Sequence, residues 1–171
     1  MNAAKRVTDW NDLCDTDPVM SILKNNTQSE YLNDLLTRAY DAEQGFKVAA
    51  ENAENEALKS WFEANSKQRL TFGHQIKSLL KDLGVEPDKG ASVSGKVHQA
   101  FMKVRAAITG TPDAALIEEC QRGEKGALDD YQDALTSVEF RTDARKVLED
   151  QAQYVQTQLS ALDTISKSLV G

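Results

Sequence analysis

Apolar residues recur along this chain at intervals of three, four and seven, the spacing that lines one face of an α-helix. Leu32, Leu36, Ala39, Phe46, Ala50 and Ala53 predict a first helix over about residues 28–53. Leu58, Phe62, Phe72, Ile76, Leu80 and Leu83 predict a second over about 55–83. The stretch between them, 52–55, is short enough that the two helices must pack antiparallel. Gly84-Val-Glu-Pro87-Asp-Lys-Gly90 then breaks the pattern. Glycine and proline are the strongest punctuation a sequence carries. A shorter helix over about 92–108 follows, with Val93, Val97, Phe101, Val104 and Ile108 on its stripe. Gly110-Thr-Pro112 stops it, with Thr111 suited to N-cap a third long helix and Pro112 to its first position. That helix reaches about residue 136 on Ile117, Cys120, Ala127, Tyr131 and Leu135. The last, about 141–169, carries Ala144, Leu148, Val155, Leu162, Ile165 and Leu169.

The expected fold is therefore all-α, a four-helix bundle over 28–171 with a long, partly helical crossover between helices two and three. Such a crossover lets the third helix run parallel to the second, the connectivity of ferritin-like bundles as opposed to up-down-up-down ones. Residues 1–27 are polar and broken by Asp17-Pro18. They read as an N-terminal extension with short helices near 9–13 and 19–23.

The stripes are interrupted by polar residues at corresponding depths. Glu43 sits seven after Leu36 and three before Phe46; Glu124 sits four after Cys120 and seven before Tyr131. Asn65 and Arg69 fall between Phe62 and Phe72, and Gln151 and Gln158 flank Val155. A buried carboxylate must be paired, hydrogen-bonded or protonated. Two readings compete. A di-metal carboxylate site needs one Glu from each of two helices and Glu-x-x-His from each of the other two. Glu43 and Glu124 could be the first pair, but the second helix offers Thr71-Phe-Gly-His74 and the fourth has no His. His74 also lies roughly opposite the stripe. A single-metal site on Glu43, Glu124 and His98, holding iron or manganese, is the weaker alternative. The favoured reading places Arg69 where a metal would lie, its planar, permanently charged fork neutralising both carboxylates. It expects a buried network of Glu43, Asn65, Arg69, Glu124, Gln151 and Gln158, and no cofactor.

Composition narrows the classes without choosing among them. In 171 residues there are 20 Lys+Arg and 27 Asp+Glu, a net charge of −7. An acidic chain without a basic cluster does not suit a nucleic-acid partner. No run of about 18 apolar residues exists to span a membrane, and the first residues lack the apolar core of a signal peptide. Cys14 and Cys120 have no motif spacing, so neither a disulfide framework nor a cysteine metal site is expected. A cytoplasmic setting follows. Cys120 reads as a small core residue, and Tyr40, Tyr131 and Tyr154 as core or rim aromatics.

From about Tyr31 onward the chain resembles a bacterial family of ferritin-like four-helix-bundle proteins of unknown function, founded on a pseudomonad sequence. The resemblance is carried by Leu32-Asn-Asp-Leu35, Asp41-Ala-Glu-Gln-Gly-Phe-Lys-Val-Ala-Ala50 and Leu79-Leu-Lys-Asp-Leu-Gly84. It continues through Ser94-Gly-Lys-Val-His98 with Phe101-Met102, and Glu118-Glu-Cys-Gln-Arg-Gly-Glu124 followed by Ala127-Leu128 and Tyr131. It implies the ferritin-like bundle and makes Glu43, Arg69, His98 and Glu124 the family's polar positions. It supplies no activity. The fourth helix departs from the family's form, with Gln158 near the position where His is frequent. The expected role is non-enzymatic, stress-associated or interaction-based, with a protein partner or a second copy of the chain.

Overall fold

The computed structural model describes residues 18–87 and 112–170, which form four α-helices and, among the described residues, no strand. They are α1 (Pro18–Asn52), α2 (Glu56–Asp82), α3 (Pro112–Ser137) and α4 (Thr142–Val170). The expected short helix near 9–13 and the crossover helix over 92–108 lie outside the described residues. The short helix expected near 19–23 is instead the beginning of α1, which starts about ten residues before the expected Gln28.

Local chemistry sets the breaks. Asn55 has extended backbone, and its side-chain oxygen accepts from the N–H groups of Ala57 and Leu58 at 2.9 and 3.0 Å, capping α2. At the other end Gly84 takes φ +73°, the left-handed region that only glycine enters without strain. Its N–H reaches Lys81 O, and the N–H of Val85 reaches Leu80 O, while Val85 folds onto the core. That pair of bonds satisfies carbonyls the helix end would otherwise leave bare.

The connection between α1 and α2 is held from outside. Asp113, in the first turn of α3, is buried and accepts from the N–H groups of Glu54 and Asn55 at 2.8 and 3.1 Å. Replacing Asp113 with Ala removes both acceptors from a partly buried turn. Hydrogen bonds to a charged acceptor carry about 1.5–3 kcal/mol, so Asp113→Ala is expected to lose about 2 kcal/mol in urea denaturation.

Long-range bonds fix the directions. Gln28 donates to Glu139 O at one end, Asp113 accepts from Glu54 N–H at the other, and Arg38 pairs with Asp130 between them, so α1 and α3 are antiparallel. Arg141 near Asp82, Gln151 on Gln75 and Tyr154 on Asn65 make α2 and α4 antiparallel. With short turns inside each sequential pair, α2 and α3 run parallel across the bundle. Tyr40 packs so tightly on α2 that a Cβ at Gly73 would lie 2.9 Å from its ring, and Lys77 caps that ring at 5.0 Å.

The core is two apolar clusters. One gathers Leu32, Leu36, Phe72, Ile76, Tyr131 and Leu148 with their neighbours, and the other Phe46, Phe62, Ile117, Cys120 and Leu162 with theirs. Along their helices the buried polar residues Asn65, Arg69 and Glu124 fall between the two, while buried Gln151 lies within the first, between Leu148 and Val155.

Candidate functional site

The middle layer is built around Arg69. Its side chain is 2 % exposed, the largest fully buried one among the described residues, and it donates through a terminal nitrogen to Glu124 Oε2 across the bundle axis. Glu124 is 1 % exposed. Rings from three helices surround the guanidinium. Phe46 of α1, Phe72 of α2 and Tyr154 of α4 have centroids 5.9, 5.2 and 5.5 Å from Arg69 Cζ, and Phe72 and Tyr154 meet edge to face. Aromatic faces are negative and favour a cation there. Each of the four helices thus contributes one contact to a single charge.

A second set of bonds leads outward. Tyr131 donates to Gln151 Oε1 at 2.7 Å, and Gln151 Nε2 donates to Gln75 Oε1 at 2.7 Å. Tyr154 donates to Asn65 Oδ1 at 3.2 Å, and Asn65 Nδ2 donates to Trp61 O at 3.0 Å. Arg69 Nε has no hydrogen-bond partner.

Burial and charge pull Glu124 in opposite directions. Desolvation pushes its carboxyl up to about 7, even though the Arg69 guanidinium draws it down. Burial likewise pushes up the Tyr131 and Tyr154 hydroxyls and the Cys120 thiol, holding them protonated. An inert Cys120 is the expected behaviour of a thiol buried in apolar surroundings.

The Glu124 shift predicts a pH dependence. A carboxyl that binds its proton more tightly when folded loses stability as pH climbs from its unfolded value, near 4.5, to its folded value near 7. At about 1.4 kcal/mol per pKa unit, the loss approaches 3 kcal/mol. Urea unfolding of the wild type against Glu124→Gln at pH 5 and pH 8 isolates it. The wild type is expected to fall relative to the variant as pH rises. A rise would mean that the attraction of Arg69 outweighs burial.

Of the residues read from the sequence as one network, the structure brings together Arg69 and Glu124, with Asn65 buried one turn away and joined through Tyr154, while Gln151 is buried nearer the Leu148 end, on Tyr131 and Gln75. Two do not join. Glu43 is half-buried, accepts from Gln44 Nε2 at 2.7 Å, and lines a groove between α1 and α2 with Lys47, Lys59, Ser66 and Lys67. The reason is steric: Phe46 occupies the α1 side of Arg69, and a carboxylate on the flank keeps its hydration. The expected neutralisation of two carboxylates by Arg69 is therefore corrected to one. Gln158 is half-buried and outside the bonded set. His98 and Cys14 lie outside the described residues. His74 is exposed.

The aromatic enclosure of Arg69, the Gln75 link and the Asp113 anchor are additions. Phe46 and Phe72 could be found in the sequence, since they occupy the stripes one turn from Glu43 and Arg69, whereas Tyr154 lies beside the stripe residue Val155. Gln75 and Asp113 leave no such spacing.

This centre does not fit a di-metal carboxylate site. Its one buried carboxylate already holds a cation, and Glu43 faces the groove. Among the described residues no group of three His, Cys, Asp or Glu is placed to hold a metal ion. None of the described helices is long and apolar enough to cross a membrane.

No curated protein matches the chain. The family described as Domain of unknown function (DUF2383) matches residues 27–137, which take in α1 from the point where it joins the bundle, α2 and α3, while α4 lies beyond the match. With well over half of its residues in that match, the chain belongs to the DUF2383 family.

Proposed function

We propose that this chain is a bacterial, cytoplasmic ferritin-like bundle that is non-catalytic and acts through its surface, on a protein partner or a second copy of itself. The connectivity supports the ferritin-like part: sequential antiparallel pairs, joined by the long 88–111 segment, with α2 and α3 parallel. The observation that carries the non-catalytic part is the Arg69–Glu124 pair. In a bundle that works on metals, the central layer presents carboxylates to cations. Here a side-chain cation is covalently part of that layer and enclosed by rings.

Metal analysis tests this. Protein purified without chelator, then challenged with Fe²⁺ or Mn²⁺ and desalted, is expected to retain less than about 0.1 equivalent. Glu124→Gln is expected to retain the same. Stoichiometric binding in the wild type that disappears in Glu124→Gln would instead establish a metal-binding role using Glu124, with Glu43 and His98 the next ligands to replace.

A further inference from the structure

Six charges line the groove between α1 and α2, three of each sign. Along α1 they run Glu43, Lys47, Glu51, and along α2 Lys59, Glu63, Lys67. Each helix alternates sign at intervals of four, the spacing at which opposite charges on one helix pair. On α4 that spacing closes two pairs, Arg145 with Glu149 at 3.1 Å and Lys146 with Asp150 at 3.2 Å. In the groove it closes none. Among the described residues the side chains of Lys47, Glu51, Lys59, Glu63 and Lys67 form no ion pair, along a helix or across the groove, and Glu43 accepts only from Gln44.

The antiparallel packing sets the register of these charges. Ser66 donates to Glu43 O at 3.0 Å, so Glu43 lies abreast of Lys67, Lys47 of Glu63 and Glu51 of Lys59. Every rung of this ladder carries one charge of each sign. A two-fold axis along the groove brings two such faces together with each rung in place and α1 of one copy over α2 of the other. Glu43 then meets Lys67 of the partner subunit, Lys47 meets Glu63 of the partner subunit, and Glu51 meets Lys59 of the partner subunit. Each contact occurs twice, as an isologous interface requires. An axis across the groove would instead set Lys47 on Lys47 and Glu63 on Glu63, and like charges in contact are costly. The ladder is thus complementary to itself in one orientation. Leu70, seven residues after Glu63 on the same side of α2, is 40 % exposed. Its rung holds half-buried Tyr40, so the same rotation sets each Leu70 near Tyr40 of the partner subunit.

We propose that a second copy of the chain docks on this face, α1 of one copy against α2 of the other, about a two-fold axis along the groove. The proposal rests on the surface-acting role put forward above and names its partner. Residues 40–51 and 59–70 each span about 18 Å, and two helices side by side are about 20 Å wide. Two copies therefore bury on the order of 800 Å² in all, below the roughly 1,200 Å² of a stable complex. The dimer is weak and reversible, and its charges make it sensitive to salt.

Sedimentation velocity on the full chain tests this. A monomer–dimer equilibrium is expected over micromolar to millimolar concentrations at low ionic strength, weakened about tenfold in high salt. Lys47→Glu and Glu63→Lys each put like charges at the two central contacts, so each variant should stay monomeric. Both positions are exposed, so circular dichroism and the urea midpoint should match the wild type. Mixed in equal amounts, the two variants should form a heterodimer, because one central contact pairs the two substituted residues and the other pairs the original Lys47 with the original Glu63. A wild-type chain that is monomeric at every concentration overturns the proposal. So does a single variant that dimerises as well as the wild type, or a mixture that stays monomeric. Each of these results leaves the metal-retention test unaffected, so failure of this interface and failure of the non-catalytic reading are told apart.

Discussion

Replacing Arg69 with Met is expected to lower the stability of the folded chain by about 3–5 kcal/mol at pH 8, read as a drop in the urea midpoint with an unchanged slope. Methionine fills much of the volume and can lie among Phe46, Phe72 and Tyr154, so little of the loss comes from an emptied cavity. The cost is that of Glu124 without its counter-ion, which at pH 8 must either stay charged in the core or draw a proton from alkaline solvent. Because Glu124 already titrates near 7 with Arg69 beside it, loss of the guanidinium lets it take up a proton more readily still. The penalty should therefore shrink at pH 5. Pairing Arg69→Met with Glu124→Leu should recover most of the loss, because a buried ion pair exchanged for apolar groups of similar volume is often neutral or better. A single variant as stable as the wild type at pH 8 would mean that the guanidinium reaches water, contrary to its burial.

Such recovery would show what the pair is for. On that outcome the pair adds little net stability, and its use is in alignment. The carboxylate sits on α3, the guanidinium on α2, and the rings on α1, α2 and α4. A register slip of either parallel helix strands a charge in the core, so the layer penalises misaligned packings more heavily than it stabilises the correct one. The apolar clusters on either side could tolerate such a slip, since one leucine replaces another at modest cost.

How much of this the sequence discloses differs by kind of contact. Helix interiors were legible because burial on one face imposes a period, and Asn55, Gly84 and Pro112 mark ends by local chemistry alone. The start of α1 at Pro18 was not, because the exposed residues 21–27 carry no stripe. The polar layer was legible at Arg69, Glu124, Asn65 and Gln151, each on its helix's buried face. Glu43 failed the same logic, because periodicity gives a residue's direction but not which neighbour already fills the space. Phe46, three residues on, takes the place beside Arg69. Asp113 was missed for a different reason: a carboxylate accepting two backbone N–H groups from residues 54 and 55 leaves no trace in either segment.

The same asymmetry of chemistry makes Glu124→Leu the most damaging single change expected in the layer. When Arg69 is lost, its carboxylate partner escapes by taking a proton. When Glu124 is lost, the guanidinium has no comparable route, since arginine keeps its proton in proteins. Its Nε already lacks a partner, and the terminal nitrogen on Glu124 would join it. The three rings remain, and cation–π contacts of about 0.5–2 kcal/mol each offset part of the cost of a buried bare charge. They cannot offset all of it, because the effective penalty for a desolvated ion is several kcal/mol and the rings satisfy none of its N–H groups. Glu124→Leu should therefore lose at least about 4 kcal/mol, more than Arg69→Met. Between pH 5 and 8 its loss relative to Arg69→Met/Glu124→Leu should stay flat, since neither variant keeps the carboxyl whose titration makes the Arg69→Met penalty vary. Glu124→Gln, which offers an amide oxygen to the same nitrogen, should be intermediate. If Glu124→Leu costs less than Arg69→Met at pH 8, the guanidinium has found another acceptor, and Glu43, one groove away, is the residue to replace next.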